Sequence, residues 1–133
     1  MPYENILVTE NDGVLTITLN RPEKFNSFIG HMRRDLAEAL EHAGSERHVR
    51  VVILTGAGRA FCAGGDIDFM AELMARRDSE EFARILGAGR RVILAIRQMT
   101  KPVIAAVNGV AAGSHRFDRG FFYAIICESW FEP

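Results

Sequence analysis

The chain has 133 residues, of which 48% are hydrophobic and 25% are charged, and its formal net charge is -1. This length and composition favour one folded domain over a disordered chain. The 16 basic and 17 acidic residues nearly balance and form no contiguous basic patch, which argues against a nucleic-acid partner. No apolar run approaches the ~20 residues that span a bilayer, and no secretory signal opens the chain. We therefore expect no membrane partner and a cytoplasmic location.

The first quarter of the sequence predicts a hairpin and then a helix. Residues 6–9 and 14–19 are short β-rich segments, and Asp12-Gly13 between them is typical of a tight hairpin turn. A polar connection over residues 20–27 leads to an amphipathic helix predicted over about residues 28–43. The apolar face of this helix comprises Ile29, Met32, Leu36, Ala39, Leu40 and Ala43.

The stretch from Val51 to Asp66 organises the rest of the chain. It starts with a continuous apolar run bounded by glycines, which predicts a strand buried on both faces. A loop of small residues follows, and Asp66 is placed to cap a helix that starts at Ile67. The backbone N–H groups of Gly65 and Asp66 would lie at the positive end of that helix. Such a place holds an anion, or an oxygen that becomes one.

Two helices and a second apolar strand follow. The helix after Asp66 is short, and Asp78-Ser79 predicts the start of a longer one that ends before Lys101-Pro102. The predicted apolar sides are Phe69, Met70, Leu73 and Met74 on the first helix and Phe82, Ile85, Leu86, Gly89, Val92, Ile93 and Ile96 on the second. Residues 103–107 predict a second buried strand. Apolar strands joined through helices pair in parallel, so we predict an α/β fold: a parallel sheet with an N-terminal hairpin.

Two glycine-rich loops allow more than one interpretation. Gly56-Ala57-Gly58 begins like a dinucleotide fingerprint, but Phe61 stands at the third glycine position, which disfavours nucleotide binding. The loops at residues 63–66 and 110–114 each follow a predicted strand. If parallel strands bring these loops together, two backbone N–H groups could face one oxygen, as in an oxyanion hole. The residues alone leave open the alternative that both are simply tight strand-to-helix turns.

Three stretches, residues 18–27, 60–67 and 101–113, resemble the signature segments of the enoyl-CoA hydratase/isomerase (crotonase) family in order and spacing. The resemblance implies a partial crotonase-like spiral of ββα turns and an acyl-CoA or enoyl-CoA substrate. Coenzyme A would be present as part of the substrate, with no metal and no other cofactor. The resemblance also implies a homo-oligomer, although the family's assembly segments lie mostly beyond the matching region.

The resemblance further implies a thioester carbonyl held between the N–H groups of Gly65 and Ser114, two backbone oxyanion donors. The coenzyme A moiety would contact two groups of residues: Lys24, Phe25 and Ser27, and Ala63, Gly65, Asp66 and Ile67. Lys24 is equally compatible with an ordinary surface lysine. We interpret Asp66 as a helix cap rather than a catalytic acid, and Cys62 as a small buried residue.

Residues 114–133 depart from the family pattern, so we divide the chain into a crotonase-like part, residues 1–113, and an aromatic-rich tail. Phe117 stands where hydratases carry a catalytic glutamate, and the second carboxylate would fall beyond Pro133. His115 and Asp118 are the nearby titratable groups, which we interpret as part of an exposed tail. A truncation or frameshift after Gly113 is our hypothesis for this change. Two functions stay open: enoyl-CoA hydration or isomerisation, and a non-catalytic acyl-CoA-binding remnant or assembly partner.

Overall fold

A computed structural model describes residues 3–111, which form two sheets and three helices. The strands are β1 (Ile6–Asn11), β2 (Val14–Leu19), β3 (Val51–Gly56), β4 (Ala60–Cys62), β5 (Val103–Ala106) and β6 (Val110–Ala111). The helices are α1 (Met32–Ser45), α2 (Ile67–Arg76) and α3 (Ser79–Gln98), and a short 3-10 turn spans Pro22–Lys24. The predicted tail at residues 114–133 lies outside the described residues.

The larger sheet has the strand order β1-β2-β3-β5 and confirms the predicted hairpin and parallel pairing. Strand β1 is antiparallel to β2, whereas β3 is parallel to both β2 and β5. The hairpin turns at Asp12 and Gly13, whose φ angles of 53° and 82° are the left-handed values that a two-residue hairpin turn requires. A second sheet pairs β4 with β6 in parallel.

The core lies between one face of the larger sheet and the packed pair of helices α1 and α3. Side chains from β2 and β3 point into it at alternate positions, as the two-residue period of a strand requires. Helix α1 contributes residues at the spacing of one helix face. The fully buried members of this core include Leu15, Ile17, Leu19, Met32, Leu36, Leu40, Val52, Leu54 and Val92.

The prediction that β3 and β5 are buried on both faces is wrong for the described part of the chain. In β3, Val52 and Leu54 are buried, but the alternate residues are only half-buried. In β5, Ile104 is 43% exposed and Ala106 is also exposed. The physical reason is that α1 and α3 pack on one face of the sheet, and no element within residues 3–111 covers the other.

Helix α1 starts at Met32 rather than near residue 28 and ends at Ser45 rather than residue 43. The late start has a backbone cause. Phe28 forms a parallel bridge with Gly65, which keeps its backbone extended, and Gly30 has a left-handed φ of 54°. Neither conformation continues a helix.

The predicted loop of small residues after β3 contains a short strand, β4, whose three residues are all buried. Three residues are too few to show a strand period, so pairing with the distant β6 defines this strand. The predicted apolar sides of α2 and α3 are only partly covered. Met74 is 73% exposed, Phe82 38% and Leu86 56%. Among the described elements, none packs over these side chains.

Candidate functional site

The loop between β4 and α2 is held in place by the backbone of residues 25–28. The amide of Ala63 donates to the carbonyl of Phe25 at 3.0 Å. The amide of Phe28 donates to the carbonyl of Gly64 at 2.7 Å, and the amide of Asp66 donates to the carbonyl of Phe28 at 2.9 Å. These bonds fix the peptide groups on both sides of Gly65.

The Gly65 amide differs from its neighbours because no acceptor among residues 3–111 receives a hydrogen bond from it. Gly65 is half-buried, and it precedes the first turn of α2. Backbone N–H groups at this end of a helix carry partial positive charge. The Asp66 amide, which the sequence also predicts at this helix end, already donates to the carbonyl of Phe28. The geometry therefore leaves the Gly65 N–H as a preoriented donor for an external oxygen.

Asp66 caps α2, as predicted. Its Oδ1 accepts from the Phe69 amide at 2.8 Å, and its Oδ2 accepts from Nη1 of Arg21 at 2.9 Å. The Phe69 amide holds the pKa of Asp66 below its ordinary value; burial opposes this shift and the Arg21 guanidinium adds to it. A carboxylate held ionised by two donors is a structural anchor and a poor proton donor.

Arg21 joins the two segments predicted to bind coenzyme A. Its Nη1 donates to the Ser27 hydroxyl at 2.9 Å and to the Ser27 carbonyl at 3.1 Å, in addition to Asp66. Ser27 itself is buried. Its hydroxyl therefore faces Arg21 inside the protein.

Asn26 connects three backbone segments through its side-chain amide, a role that the sequence analysis did not predict. It is fully buried with a left-handed φ of 59°. Its Oδ1 accepts from the Arg21 amide at 2.7 Å, and its Nδ2 donates to the carbonyls of Ala57 and Ala60 at 2.9 and 2.8 Å. The available signal was an asparagine next to a proline turn, since asparagine tolerates left-handed backbone.

Asn108 clamps the same β3–β4 turn from the other side. Its Nδ2 donates to the carbonyls of Gly58 and Ala60 at 3.0 and 3.2 Å, and its Oδ1 accepts from the Gly56 amide at 3.2 Å. The next residue, Gly109, lies so close to this turn that a Cβ atom there would overlap the Arg59 carbonyl. The second glycine-rich stretch is thus packed against the first.

Strand pairing places Cys62, just before the first predicted loop, beside Ala111 at the start of the second. Strands β4 and β6 are parallel, and Cys62 is the register partner of Ala111. The chain therefore leaves both strands at the same end of the small sheet. Cys62 is buried, as predicted, and its sulfur accepts a hydrogen bond from the Gly64 amide at 3.3 Å. Ser114, the second predicted donor, lies outside the described residues, together with Phe117, His115 and Asp118.

The remaining predicted ligand contacts lie on the surface beside this edge. Phe25 has a left-handed φ of 52° and is 47% exposed, and Cζ of Arg59 lies 5.6 Å from its ring centroid. Lys24 is exposed, and Ile67 is 82% exposed at the start of α2. Ala63 is half-buried in the loop before it. Arg59 is a cation of this surface that the sequence interpretation did not select.

Other classes of site find no geometric support in the described part of the chain. Within it, no group of three or more His, Cys, Asp or Glu side chains is arranged to hold a metal ion. No helix among the described residues is both long and apolar enough to span a membrane. The described residues contribute backbone amides, an anchored carboxylate and surface cations to the candidate site.

Comparison with known sequences gives a consistent match. The profile of the family described as enoyl-CoA hydratase/isomerase matches residues 9–128. The 1,2-epoxyphenylacetyl-CoA isomerase of Escherichia coli K12 is 41% identical over 116 residues, which cover 84% of this chain and 42% of that protein. The crotonyl-CoA hydratase of Syntrophomonas wolfei is 36% identical over 114 residues, covering 85% of this chain and 42% of that protein. The chain thus spans less than half the length of these relatives.

Solved structures show the same fold. An enoyl-CoA hydratase/isomerase from Mycobacterium paratuberculosis superimposes with a TM-score of 0.73 at 37% identity, covering 79% of this chain and 41% of that one. An enoyl-CoA hydratase from Bacillus anthracis gives a TM-score of 0.71 at 35% identity, covering 81% of this chain and 41% of that one. The described residues thus adopt part of the fold of these proteins.

Proposed function

Because the chain belongs to the enoyl-CoA hydratase/isomerase family, we propose that it binds an acyl-CoA thioester with the carbonyl oxygen on the Gly65 amide. The observation that carries the proposal is the state of that amide. Its neighbours are hydrogen-bonded to residues 25–28, whereas the Gly65 N–H has no acceptor among the described residues. A preoriented donor of this kind stabilises negative charge on a thioester oxygen, an effect worth about 3 kcal/mol per donor in acyl-transfer sites.

The second donor in this proposal is the Ser114 amide. The parallel register of β4 and β6 supports it, since Cys62 and Ala111 are partners at the end where both loops depart. Gly65 follows Cys62 by three residues, and Ser114 follows Ala111 by three. Equal path lengths from paired positions suit two amides that converge on one oxygen.

The coenzyme A moiety would lie along the surface formed by residues 24–25 and the start of α2. Lys24 and Arg59 are exposed cations suited to phosphate groups, and the exposed Phe25 ring offers an apolar platform. Ala63 and Ile67 would contact the ligand near the thioester. Asp66 and Ser27 would shape this surface through their bonds to Arg21.

The groups available for proton transfer distinguish two candidate functions of such a site. Hydration or isomerisation of an enoyl-CoA needs a general acid or base near the α-carbon. The carboxylate next to Gly65 in the described structure is Asp66, which the Phe69 amide and Arg21 hold ionised. Because both donors keep the Asp66 carboxylate ionised, it is poorly suited to proton transfer. This favours the second candidate for the chain, a non-catalytic acyl-CoA-binding protein or assembly partner. We also propose that the chain self-associates into a homo-oligomer, which light scattering would detect as a mass above that of one chain.

A matched pair of variants tests the oxyanion donor. Gly65→Pro removes the amide hydrogen, whereas Gly65→Ala adds a Cβ atom at the same place but keeps the donor. Isothermal titration of the purified chain with crotonyl-CoA and with free coenzyme A measures the preference for the thioester, and circular dichroism reports folding. We expect the wild type and Gly65→Ala to prefer crotonyl-CoA, and Gly65→Pro to lose this preference.

Three results would change these conclusions. A folded Gly65→Pro variant that keeps the preference would exclude the Gly65 amide as the donor. A wild-type chain that binds neither ligand would overturn the acyl-CoA proposal as a whole. Loss of crotonyl-CoA absorbance at an ordinary enzymatic rate would select the hydratase over the non-catalytic candidate.

A further inference from the structure

The Gly65 N–H belongs to the peptide group that joins two consecutive glycines, Gly64 and Gly65. The carbonyl of this trans peptide accepts from the Phe28 amide at 2.7 Å, so the N–H on its opposite side points away from residues 25–28. Gly64 has a left-handed φ of 96°, and neither glycine carries a Cβ atom that would resist rotation. The direction of this donor therefore depends on what holds the residues around it.

Arg21 joins the two segments that hold this peptide in place. Its Nη1 donates to the Ser27 hydroxyl at 2.9 Å, to the Ser27 carbonyl at 3.1 Å and to Oδ2 of Asp66 at 2.9 Å. Ser27 immediately precedes Phe28, and Asp66 immediately follows Gly65. The side chains of Arg21 and Asp66 are only 11% and 10% exposed, so water screens this ion pair less than it screens a pair on the surface.

We infer, building on the function proposed above, that Arg21 is a positioning residue of the Gly65 donor. The backbone hydrogen bonds of Phe28 set the register between the two segments, and the Arg21 contacts add a side-chain link across them. Asp66 is thereby fixed at its amide, by Phe28, and at its carboxylate, by Arg21. Loss of this link lets the Gly64–Gly65 peptide rotate, which turns its N–H away from a bound oxygen.

A matched control lies between helices α1 and α3. Arg91 donates from Nε and Nη2 to the carboxylate of Glu41 at 3.1 and 2.7 Å. This ion pair also joins two elements that are distant in sequence. In the described part of the chain, neither residue has a hydrogen bond to residues 21–28 or 63–66. Arg91→Gln therefore removes a guanidinium–carboxylate pair without altering the contacts around Gly65.

The test is the carbonyl stretching frequency of crotonyl-CoA labelled with ¹³C at the thioester carbon, measured by difference infrared spectroscopy on the 133-residue chain at saturating ligand. A hydrogen bond to the carbonyl oxygen lowers this frequency. The frequency is a property of each bound molecule, so a variant that is only less stable or binds more weakly still shows the wild-type value at saturation. We compare Arg21→Gln, which removes the guanidinium, with Arg91→Gln. Asp66→Asn breaks the same ion pair from the other side and keeps a residue suited to the helix cap.

We expect Arg21→Gln and Asp66→Asn each to lose at least half of the wild-type frequency shift, and Arg91→Gln to keep all of it. A full shift in folded Arg21→Gln would overturn the assignment. An equal loss in Arg91→Gln would also overturn it, because the loss would then not be specific to the contacts around Gly65. If Arg21→Gln does not fold, Asp66→Asn decides, and a full shift in that variant overturns the assignment. A wild type that does not bind crotonyl-CoA, or binds it without any shift, would instead refute the proposed function.

Discussion

Replacement of Asn26 by Ala should destabilise the chain more than any other single loss of a side-chain amide in the described residues. The substitution removes three hydrogen bonds, which join Asn26 to the Arg21 amide and to the carbonyls of Ala57 and Ala60. At about 1 kcal/mol for each bond, the expected loss is about 3 kcal/mol. Alanine also tolerates the φ of 59° less well than asparagine does.

Two controls separate these contributions. Asn26→Gly removes the same hydrogen bonds but accepts left-handed backbone without strain, so the difference between Asn26→Gly and Asn26→Ala measures the strain. Asn108→Ala removes the other clamp on the β3–β4 turn, where the bonds are longer and more exposed. We expect Asn108→Ala to cost about 1 kcal/mol, because water replaces an exposed hydrogen bond more readily.

Urea unfolding followed by far-ultraviolet circular dichroism measures these differences. Domains of this size are stable by about 5–15 kcal/mol, so a loss of about 3 kcal/mol lowers the midpoint clearly while the slope stays constant. An Asn26→Ala midpoint equal to that of the wild type would refute the reasoning. It would mean that the bonds to Asn26 do not hold the β3–β4 turn.

Three further predictions use the same unfolding assay. Asp66 has a lowered pKa in the folded state, so its stabilisation is present above its ordinary pKa of 3.8 and is lost as the pH falls through the folded value. Asp66→Asn should therefore flatten the acid dependence of stability, and an unchanged acid limb would contradict this. Lys101 donates to two carbonyl oxygens at the C-terminal end of α1. Lys101→Met should cost about 1.5 kcal/mol, and a neutral result would show that water satisfies those carbonyls. Gly109→Ala should destabilise the chain strongly, because the added Cβ atom would overlap the Arg59 carbonyl. Gly87→Ala is the control: its Cβ atom meets open space on α3, and the change should stabilise the helix by about 0.5 kcal/mol. Equal effects of the two substitutions would refute the overlap at Gly109.

The sequence determined the local elements of this protein. The Asp12-Gly13 turn, the apolar run at residues 51–54 and the Asp66 cap were predicted because each depends on side chains close to it in the chain. The Asp66 cap illustrates this well, since Oδ1 reaches the amide three residues ahead. The family signature was also visible in the sequence, because it consists of short contiguous stretches.

Only the tertiary structure decided which groups meet. The extended Phe28, the short strand β4 and the clamp at Asn26 all depend on partners that are about 30 or more residues away. The proximity of Arg33 to Gly65 also depends on tertiary packing, because the helical pattern places Arg33 on α1 but does not identify the residue that it contacts. Local propensity acts over a few residues, whereas burial and strand register depend on the whole packed chain. The chemistry of the candidate site therefore follows from its sequence motif, and its electrostatics follow from the packing around that motif.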